Sequence, residues 1–150
     1  MDLNAWFECT VAIDQVQDDG TTKAVTQKYL VDALSFTEAE DRIIEEVKPF
    51  TKGNLDVKAV KKVRIAEIFP NETGEADTWY RVKAVFITID EKTQAEKEAP
   101  FVVMVQSASF SNALAYFEKG MRGSLADYRI VSITETKILD VYKYVKKSAE

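Results

Sequence analysis

The stretch NAWFECTVAID, residues 4–14, decides the fold because its side chains alternate between polar and apolar. A period of two is typical of a β-strand with one buried face. The pattern returns in TWYRVKAVFITID, residues 78–90, where a shift of 73 positions places Trp6 on Trp79. Both tryptophans fall on the polar side of their strands, which is an unexpected place for the only two in the chain.

The similarity between the two halves continues beyond these strands. Two further pairs of blocks match in the same order: SFTEA (35–39) with SFSNA (109–113), and VKAVKKVRIAEIF (57–69) with IVSITETKILDVY (130–142). Self-similarity at a fixed spacing indicates a repeated structural unit. The sequence therefore predicts a tandem duplication, with repeat one at residues 1–73 and repeat two at residues 74–150.

Each repeat has the pattern strand, strand, helix, strand. Ser35 and Glu38 form a capping box ahead of an amphipathic helix, which Pro49 ends. Ser109 occupies the same capping position ahead of the second helix. The fold class that follows is α+β, a mainly antiparallel sheet with two helices packed on it and a pseudo-two-fold relation between the repeats.

The repeats are expected to form a single domain over residues 1–150. A unit of about 70 residues is marginally stable alone, so sharing one core would stabilise both. The third block of each repeat is longer than a typical strand. In repeat one it is expected to bulge near Lys61 and Lys62, where the parity of the apolar residues changes.

Composition excludes several classes of protein. The 150 residues include no histidine, one cysteine and five glycines. Zinc sites of His and Cys, and Ser-His or Cys-His catalysis, therefore have no residues to use. No glycine-rich phosphate loop is present either. We predict that the protein is not an enzyme, and no motif indicates a cofactor or a metal.

Charge and hydropathy predict a cytoplasmic protein without membrane contact. No apolar run approaches the ~20 residues that span a bilayer, and the N-terminus lacks the basic and apolar regions of a signal peptide. The formal net charge is −5, and the first 73 residues carry 14 Asp and Glu against 9 Lys and Arg. Any contact with nucleic acid would therefore depend on a local basic patch.

Aromatic and basic residues together could form such a patch. Aromatic rings beside cations on a sheet are how single-stranded nucleic acid is held. The basic residues of 57–64 would extend that surface if their strand neighboured residues 79–90, and the terminal segment 143–150 could add charge. The predicted binding surface comprises Trp6, Trp79, Arg81, Lys83, Lys58, Lys62 and Arg64.

The same residues are also compatible with purely structural roles. Each tryptophan could cover the rim of the core or meet the other repeat, and lysines on an edge strand deter unwanted pairing. Trp beside Arg is also common at protein–protein interfaces. Asp41 and Glu45, one helical turn apart, could bind a divalent cation or act as an acid–base pair, although carboxylates on an outer helix face are usually just solvated. Cys9 is expected to be a buried structural thiol.

The sequence also resembles a known family. YLVDALSFTEAE (29–40), RIAEIF (64–69) and residues 105–141 are similar to a family of about 150-residue proteins catalogued as domain of unknown function 4494. The family looks typical of gut Bacteroides-type bacteria and their phages or mobile elements, and the resemblance covers nearly the whole chain. It implies no activity and no site residues. A phage or mobile-element setting would favour an accessory role in DNA metabolism, by association alone.

Taken together, the residues favour a non-enzymatic binding module. The specific hypothesis is binding of single-stranded nucleic acid through the aromatic and basic surface. The alternative is a protein–protein interaction or self-association module that uses the same aromatic residues, with a homo-oligomer as one form. An enzyme is least favoured, because it would need a pocket with convergent polar groups that the sequence does not display.

Overall fold

The structure, a computed structural model, describes residues 4–71 and 73–144. Its elements confirm the predicted α+β class. In chain order they are β1 (Ala5–Val16), β2 (Thr22–Ala33), α1 (Phe36–Val47), a 3-10 helix (Lys48–Phe50), β3 (Leu55–Val63), β4 (Glu67–Phe69), β5 (Thr78–Ile89), β6 (Glu96–Ser107), α2 (Phe110–Gly120), β7 (Asp127–Glu135) and β8 (Ile138–Tyr142).

The chain divides into two compact units. Unit 1 comprises Met1–Val63 with Ile138–Glu150, and unit 2 comprises Arg64–Lys137. Sheet 1, in unit 1, has the strand order β3-β1-β2-β8, and sheet 2, in unit 2, has the order β4-β6-β5-β7. The β8 strand runs parallel to β2 and β4 runs parallel to β6, whereas the other pairs are antiparallel.

The fourth strand of each sheet therefore comes from the other half of the sequence. Residues 138–142 complete sheet 1, and residues 67–69 complete sheet 2. Both sheets have a long hairpin at the centre, a nine-residue strand on one side and a short parallel strand on the other. The tandem duplication and the single domain stay predictions.

Alternation in the first strand of each hairpin builds the cores. In unit 1, Phe7, Cys9, Val11 and Ile13 of β1 are buried with Ala39, Ile43 and Val47 of α1. In unit 2, Val82 and Ala84 of β5 and Val103 and Val105 of β6 are buried with Phe117 of α2. Each helix thus covers one face of its own sheet, and the predicted burial of Cys9 is confirmed.

The predicted helix caps are also confirmed. The Ser35 hydroxyl accepts a hydrogen bond from the Glu38 backbone N–H at 3.1 Å, and the Glu38 carboxylate accepts one from Leu34 N–H at 3.4 Å. The Ser109 hydroxyl accepts one from Asn112 N–H at 3.2 Å. These bonds satisfy N–H groups that have no partner inside the helix.

The bulge in the third strand lies elsewhere than expected. In the β1–β3 pair the register shifts between Thr10 and Val11, so the extra residue is Lys58 and not Lys61 or Lys62. The β5–β7 pair shifts in the same way, with Val131 as its extra residue. The extra residue changes the face to which the next side chains point, so apolar side chains on both sides of the bulge can face the core. The alternation of apolar residues alone therefore does not give the position of the bulge.

Helix α2 approaches strand β4 very closely. A Cβ atom added to Gly120 would lie 2.5 Å from Cε2 of Phe69. The Tyr116 hydroxyl, one turn earlier, donates to the Pro70 carbonyl at 2.8 Å. The missing side chain at Gly120 therefore lets the Phe69 ring lie directly against the helix.

We expect Gly120→Ala to destabilise the protein by about 1 kcal/mol. Overpacking costs about 1–3 kcal/mol, and the better helix propensity of alanine offsets about 1 kcal/mol of that. Urea unfolding measures the difference. The control is Gly74→Ala, because a Cβ there meets nothing within 4 Å. Equal stability of the two variants would contradict the tight packing of Phe69.

Candidate functional site: a groove beside helix α1

The predicted tryptophan surface is not exposed as expected. Trp79 retains 3% of its accessible surface, and its indole Nε1 has no hydrogen-bond partner among the residues that the structure describes. Trp79 shares its face of β5 with Arg81, and that face is buried at its centre, since Met104, opposite Arg81, is fully buried. The polar parity of β5 therefore does not mark solvent, and of the two roles considered for Trp79 its burial favours the structural one over an exposed stacking platform. Trp6 is half-buried.

The predicted basic stripe does not form on one sheet. Lys58, Lys62 and Arg64 are exposed, as is Lys83, whereas Arg81 is half-buried. The condition under which residues 57–64 would extend the surface of residues 79–90 is not met, because β3 pairs with β1 in sheet 1 and β5 belongs to sheet 2. Lys58 also forms an ion pair with Asp56 at 2.8 Å. Residues 145–150 of the terminal segment lie outside the described residues.

A concave surface lies in unit 1, beside α1. Helix α1 packs over β1, β2 and β3. A groove of about 540 Å³ remains between this helix and the end of β8. We call it the α1 groove; its lining residues are Val31, Glu38, Asp41, Arg42, Glu45, Glu46, Tyr142, Lys143 and Tyr144.

A buried carboxylate fixes one wall of the α1 groove. Asp32, at the end of β2, is 3% exposed. Its oxygens accept hydrogen bonds from Tyr144 N–H at 2.6 Å and from Asn4 Nδ2 at 3.3 Å, and Arg42 Nη1 lies 3.6 Å away. A buried carboxylate without such partners would be strongly destabilising. The Asp32 carboxylate thus anchors the segment after β8 to α1 and to the N-terminal residues.

The charge and the planar face of the Arg42 guanidinium both make contacts within unit 1. It pairs with Asp32 and with Glu38, donates to the Asp32 backbone carbonyl, and lies over the Tyr144 ring with Cζ 3.9 Å from the centroid. These contacts hold Tyr144 as the groove wall. Asp41, Glu45 and Glu46 have no ion pair within residues 4–71 and 73–144. Lys143 also lines the groove, but the four carboxylates of the lining outnumber Arg42 and Lys143, so the described lining is net negative.

The groove floor is apolar, and its phenol group, on Tyr142, does not ionise at ordinary pH. Tyr142 stacks on Tyr29 with ring centroids 5.8 Å apart. Burial, and then the negative charge of Asp140, raise the pKa of Tyr142 to about 12. The phenol is therefore neutral and protonated at ordinary pH. Cys9 is similar, because burial raises its pKa to about 12, and the thiolate that would act as a nucleophile does not form.

A second cavity continues the groove along the same face of sheet 1. This distal cavity measures about 360 Å³ and shares Tyr142 with the α1 groove. Ile13 and Tyr29 belong to the buried cluster under α1, so both cavities lie on the helix-covered face. At its far end the cavity is lined by Phe50, which is 70% exposed, and Leu139, which is 52% exposed.

In unit 2, side chains fill the space that corresponds to the α1 groove. The shift of 73 residues that aligns the strands places Tyr142 on Phe69, and Phe69 lies directly against Gly120 of α2. The corresponding helix position in unit 1, with a shift of 74 residues, is Glu46, which lines the α1 groove. A glycine and a phenylalanine close the gap in one unit, and a glutamate and a tyrosine leave it open in the other.

Comparison with known proteins places the chain in a family. The model of the family described as domain of unknown function (DUF4494) matches residues 5–144. The chain belongs to the DUF4494 family. The resemblance found in the sequence is thereby confirmed, and no curated protein matches the chain.

Two structural findings concern membranes and metals in this DUF4494 protein. No helix in its described part is long and apolar enough to cross a bilayer. Within the same residues no group of three or more His, Cys, Asp or Glu is arranged to hold a metal ion. Asp41 and Glu45 are therefore better described as charges lining a groove than as a cation site.

In the DUF4494 protein we expect Asp32→Ala to lower the free energy of unfolding by about 2–4 kcal/mol. The change leaves the partly buried Arg42 and the Tyr144 N–H without their acceptor. Urea unfolding measures the loss. The control is Asp41→Ala on the exposed side of α1, for which a change within about 0.5 kcal/mol is expected. A small effect of Asp32→Ala would mean that the anchor is not structural.

Alkaline titration provides a separate test of the groove floor. A tyrosine ionises near pH 10 in an unfolded chain, so a folded-state pKa of about 12 for Tyr142 stabilises the fold below about pH 10. That contribution is lost as the pH rises through about 12. We expect urea unfolding to show a shallower alkaline loss of stability in Tyr142→Phe than in wild type. Parallel curves would show that Tyr142 is solvated.

Proposed function

We propose that this chain is a non-enzymatic binding module that acts by binding another protein, with the α1 groove as the contact surface. The observation that carries the proposal is the groove itself, an open cavity of about 540 Å³ with Val31 and Tyr142 as its apolar floor. Concave apolar surfaces with a few polar groups are the usual form of binding sites. Three of its carboxylates form no ion pair with any residue that the structure describes, and they give the groove a preferred charge for its ligand.

The chemistry of the groove supports binding over catalysis. Burial keeps Tyr142 protonated by raising its pKa to about 12, and Arg42 is already paired with two carboxylates. A general base or nucleophile needs a pKa near the working pH or an activating neighbour. The carboxylates that remain, Asp41, Glu45 and Glu46, suit attraction of a cationic group.

The sign of the charge favours a protein partner over nucleic acid. Phosphate groups would be repelled by the three carboxylates, because nucleic-acid affinity comes largely from cations that neutralise phosphates. Trp79 is buried, so only Trp6 of the two tryptophans has accessible surface on which a base could stack. The exposed lysines of the β3 edge, Lys58, Lys61 and Lys62, are a cluster that a nucleic-acid contact could use.

Charge reversal in the groove tests the proposal. The tagged protein is cross-linked in extracts of the cells that produce it, before and after nuclease treatment. We expect nuclease-resistant protein cross-links that Asp41→Lys/Glu45→Lys removes. The matched control is Glu91→Lys/Glu96→Lys, which makes the same change of charge at two exposed positions of unit 2.

The nucleic-acid alternative makes the opposite prediction in a second measurement. A fluorescent oligothymidylate is titrated at low salt into wild type, into the groove variant and into Lys61→Glu/Lys62→Glu. We expect no groove-dependent binding. Binding that the lysine variant abolishes and the groove variant keeps, together with cross-links that ignore the groove charges, would replace protein binding by nucleic-acid binding at the β3 edge.

A further inference from the structure

Helix α1 is too narrow to cover the whole face of sheet 1 on which it packs. Four strands spaced about 4.8 Å apart make a sheet roughly 19 Å wide, whereas a helix with its side chains is about 10 Å across. Helix α1 lies over β1, β2 and β3. Tyr29 and Val31 of β2 are already buried under α1. The open strip therefore lies along the seam between β2 and β8, where the half-buried Tyr142 lines both the α1 groove and the distal cavity.

We propose that this β2–β8 strip binds a basic amphipathic helix of another protein, lying alongside α1. The inference rests on the proposed function and names the shape and charge of the partner. Packed helices lie about 8–10 Å apart, so a helix docked beside α1 would lie over β8, which is not among the strands that α1 packs over. The 12 residues of α1 span about 18 Å at about 1.5 Å per residue, so the docked helix has three to four turns.

Charge complementarity selects a basic helix. Asp41 and Glu45 are one turn apart on α1, and Glu46 lines the same groove. Lys or Arg residues spaced four apart on the neighbouring helix would meet them in register. The apolar face of that helix would then rest on Tyr142, which is half-buried in the free chain.

Exposed apolar side chains at the far end extend the docking surface. Phe50 is 70% exposed and Leu139 is 52% exposed, and both line the distal cavity. A helix that ran the length of the strip would cover them, and burying apolar surface is the main favourable term in association. The strip thus combines an apolar floor, an acidic side and an apolar end, which is the pattern of a helix-binding groove.

A second copy of the chain does not supply this helix from its described residues. Helix α1 buries its apolar stripe of Ala39, Ile43 and Val47 in its own core and carries negative charge. Helix α2 buries Ala113 and Phe117 in its own core. Neither has a free apolar face with basic flanks.

The test uses a synthetic peptide of about four helical turns, with leucines along one helical face and lysines on both flanks. Isothermal titration calorimetry at two salt concentrations measures its affinity for the full-length chain. We expect binding that weakens with salt and that Asp41→Lys/Glu45→Lys lowers roughly tenfold. Leu139→Ser, which changes an exposed apolar position, should also weaken it, and Glu91→Lys/Glu96→Lys should leave it unchanged.

A scrambled peptide of the same composition separates docking from simple charge attraction. It cannot form an apolar face, so we expect it to bind at least roughly tenfold more weakly. Nuclear magnetic resonance shifts confined to residues around Val31 and Tyr142 would place the peptide on the strip. Equal affinity for both peptides, or shifts spread over the surface, would overturn the proposal.

Two further measurements distinguish an external helix from an occupant supplied by the chain itself. Light scattering of the free chain should give a monomer; concentration-dependent self-association lost in the groove variant would make a second copy the occupant. A chain ending at Tyr144 should bind the peptide as wild type does; binding seen only in that shorter chain would overturn an external partner. If groove-dependent cross-links persist while the helical peptide fails to bind, the helix proposal falls and the proposed function stands.

Discussion

A buried carboxylate must be satisfied, and much of unit 1 is arranged around that requirement. Asp32 meets Tyr144, Asn4 and Arg42, which come from three different parts of the chain. Its bond to Tyr144 joins residues 112 positions apart, so the last described residues are tied to the end of β2. In unit 2 the corresponding acceptor is neutral: the Gln106 side chain accepts from Asn71 N–H at 3.1 Å. The same backbone contact is thus made with a charge in one unit and without one in the other.

That difference propagates into the groove. A charged Asp32 requires a cation, and Arg42 supplies it from α1 while stacking on Tyr144. In unit 2 the residue at the place of Arg42 is Tyr116, which bonds the Pro70 carbonyl. There Phe69 packs against Gly120. One architecture therefore gives a closed helix–strand contact in unit 2 and an open, charged groove in unit 1.

Local signals in the sequence predicted the hairpin strands and the helix caps, because period-two alternation and Ser35 or Ser109 act over a few residues. The pairing of β8 with β2 and of β4 with β6 had no local signal, since it depends on parallel contacts between distant segments. The groove has no local signal for the same reason: the sequence shows Asp41 and Glu45 on α1, but not that Tyr142 lines the same groove. The burial of Trp79 does not follow from parity, because sheet 2 is buried on both faces near its centre, where alternation does not separate core from solvent.

The charges of α1 conflict with the stability of the helix, and that conflict supports a role in binding. The C-terminal end of a helix carries partial negative charge, which favours Lys or Arg in the last turn. Helix α2 follows this rule with Lys119, whereas the last turn of α1 has no basic residue and contains Glu45 and Glu46. Local rules tend to be broken where function requires it. Under the proposed function, these carboxylates, which form no ion pair with the described residues, would be stabilised by a cationic partner. An arrangement that is unfavourable in the free chain would then contribute to affinity in the complex.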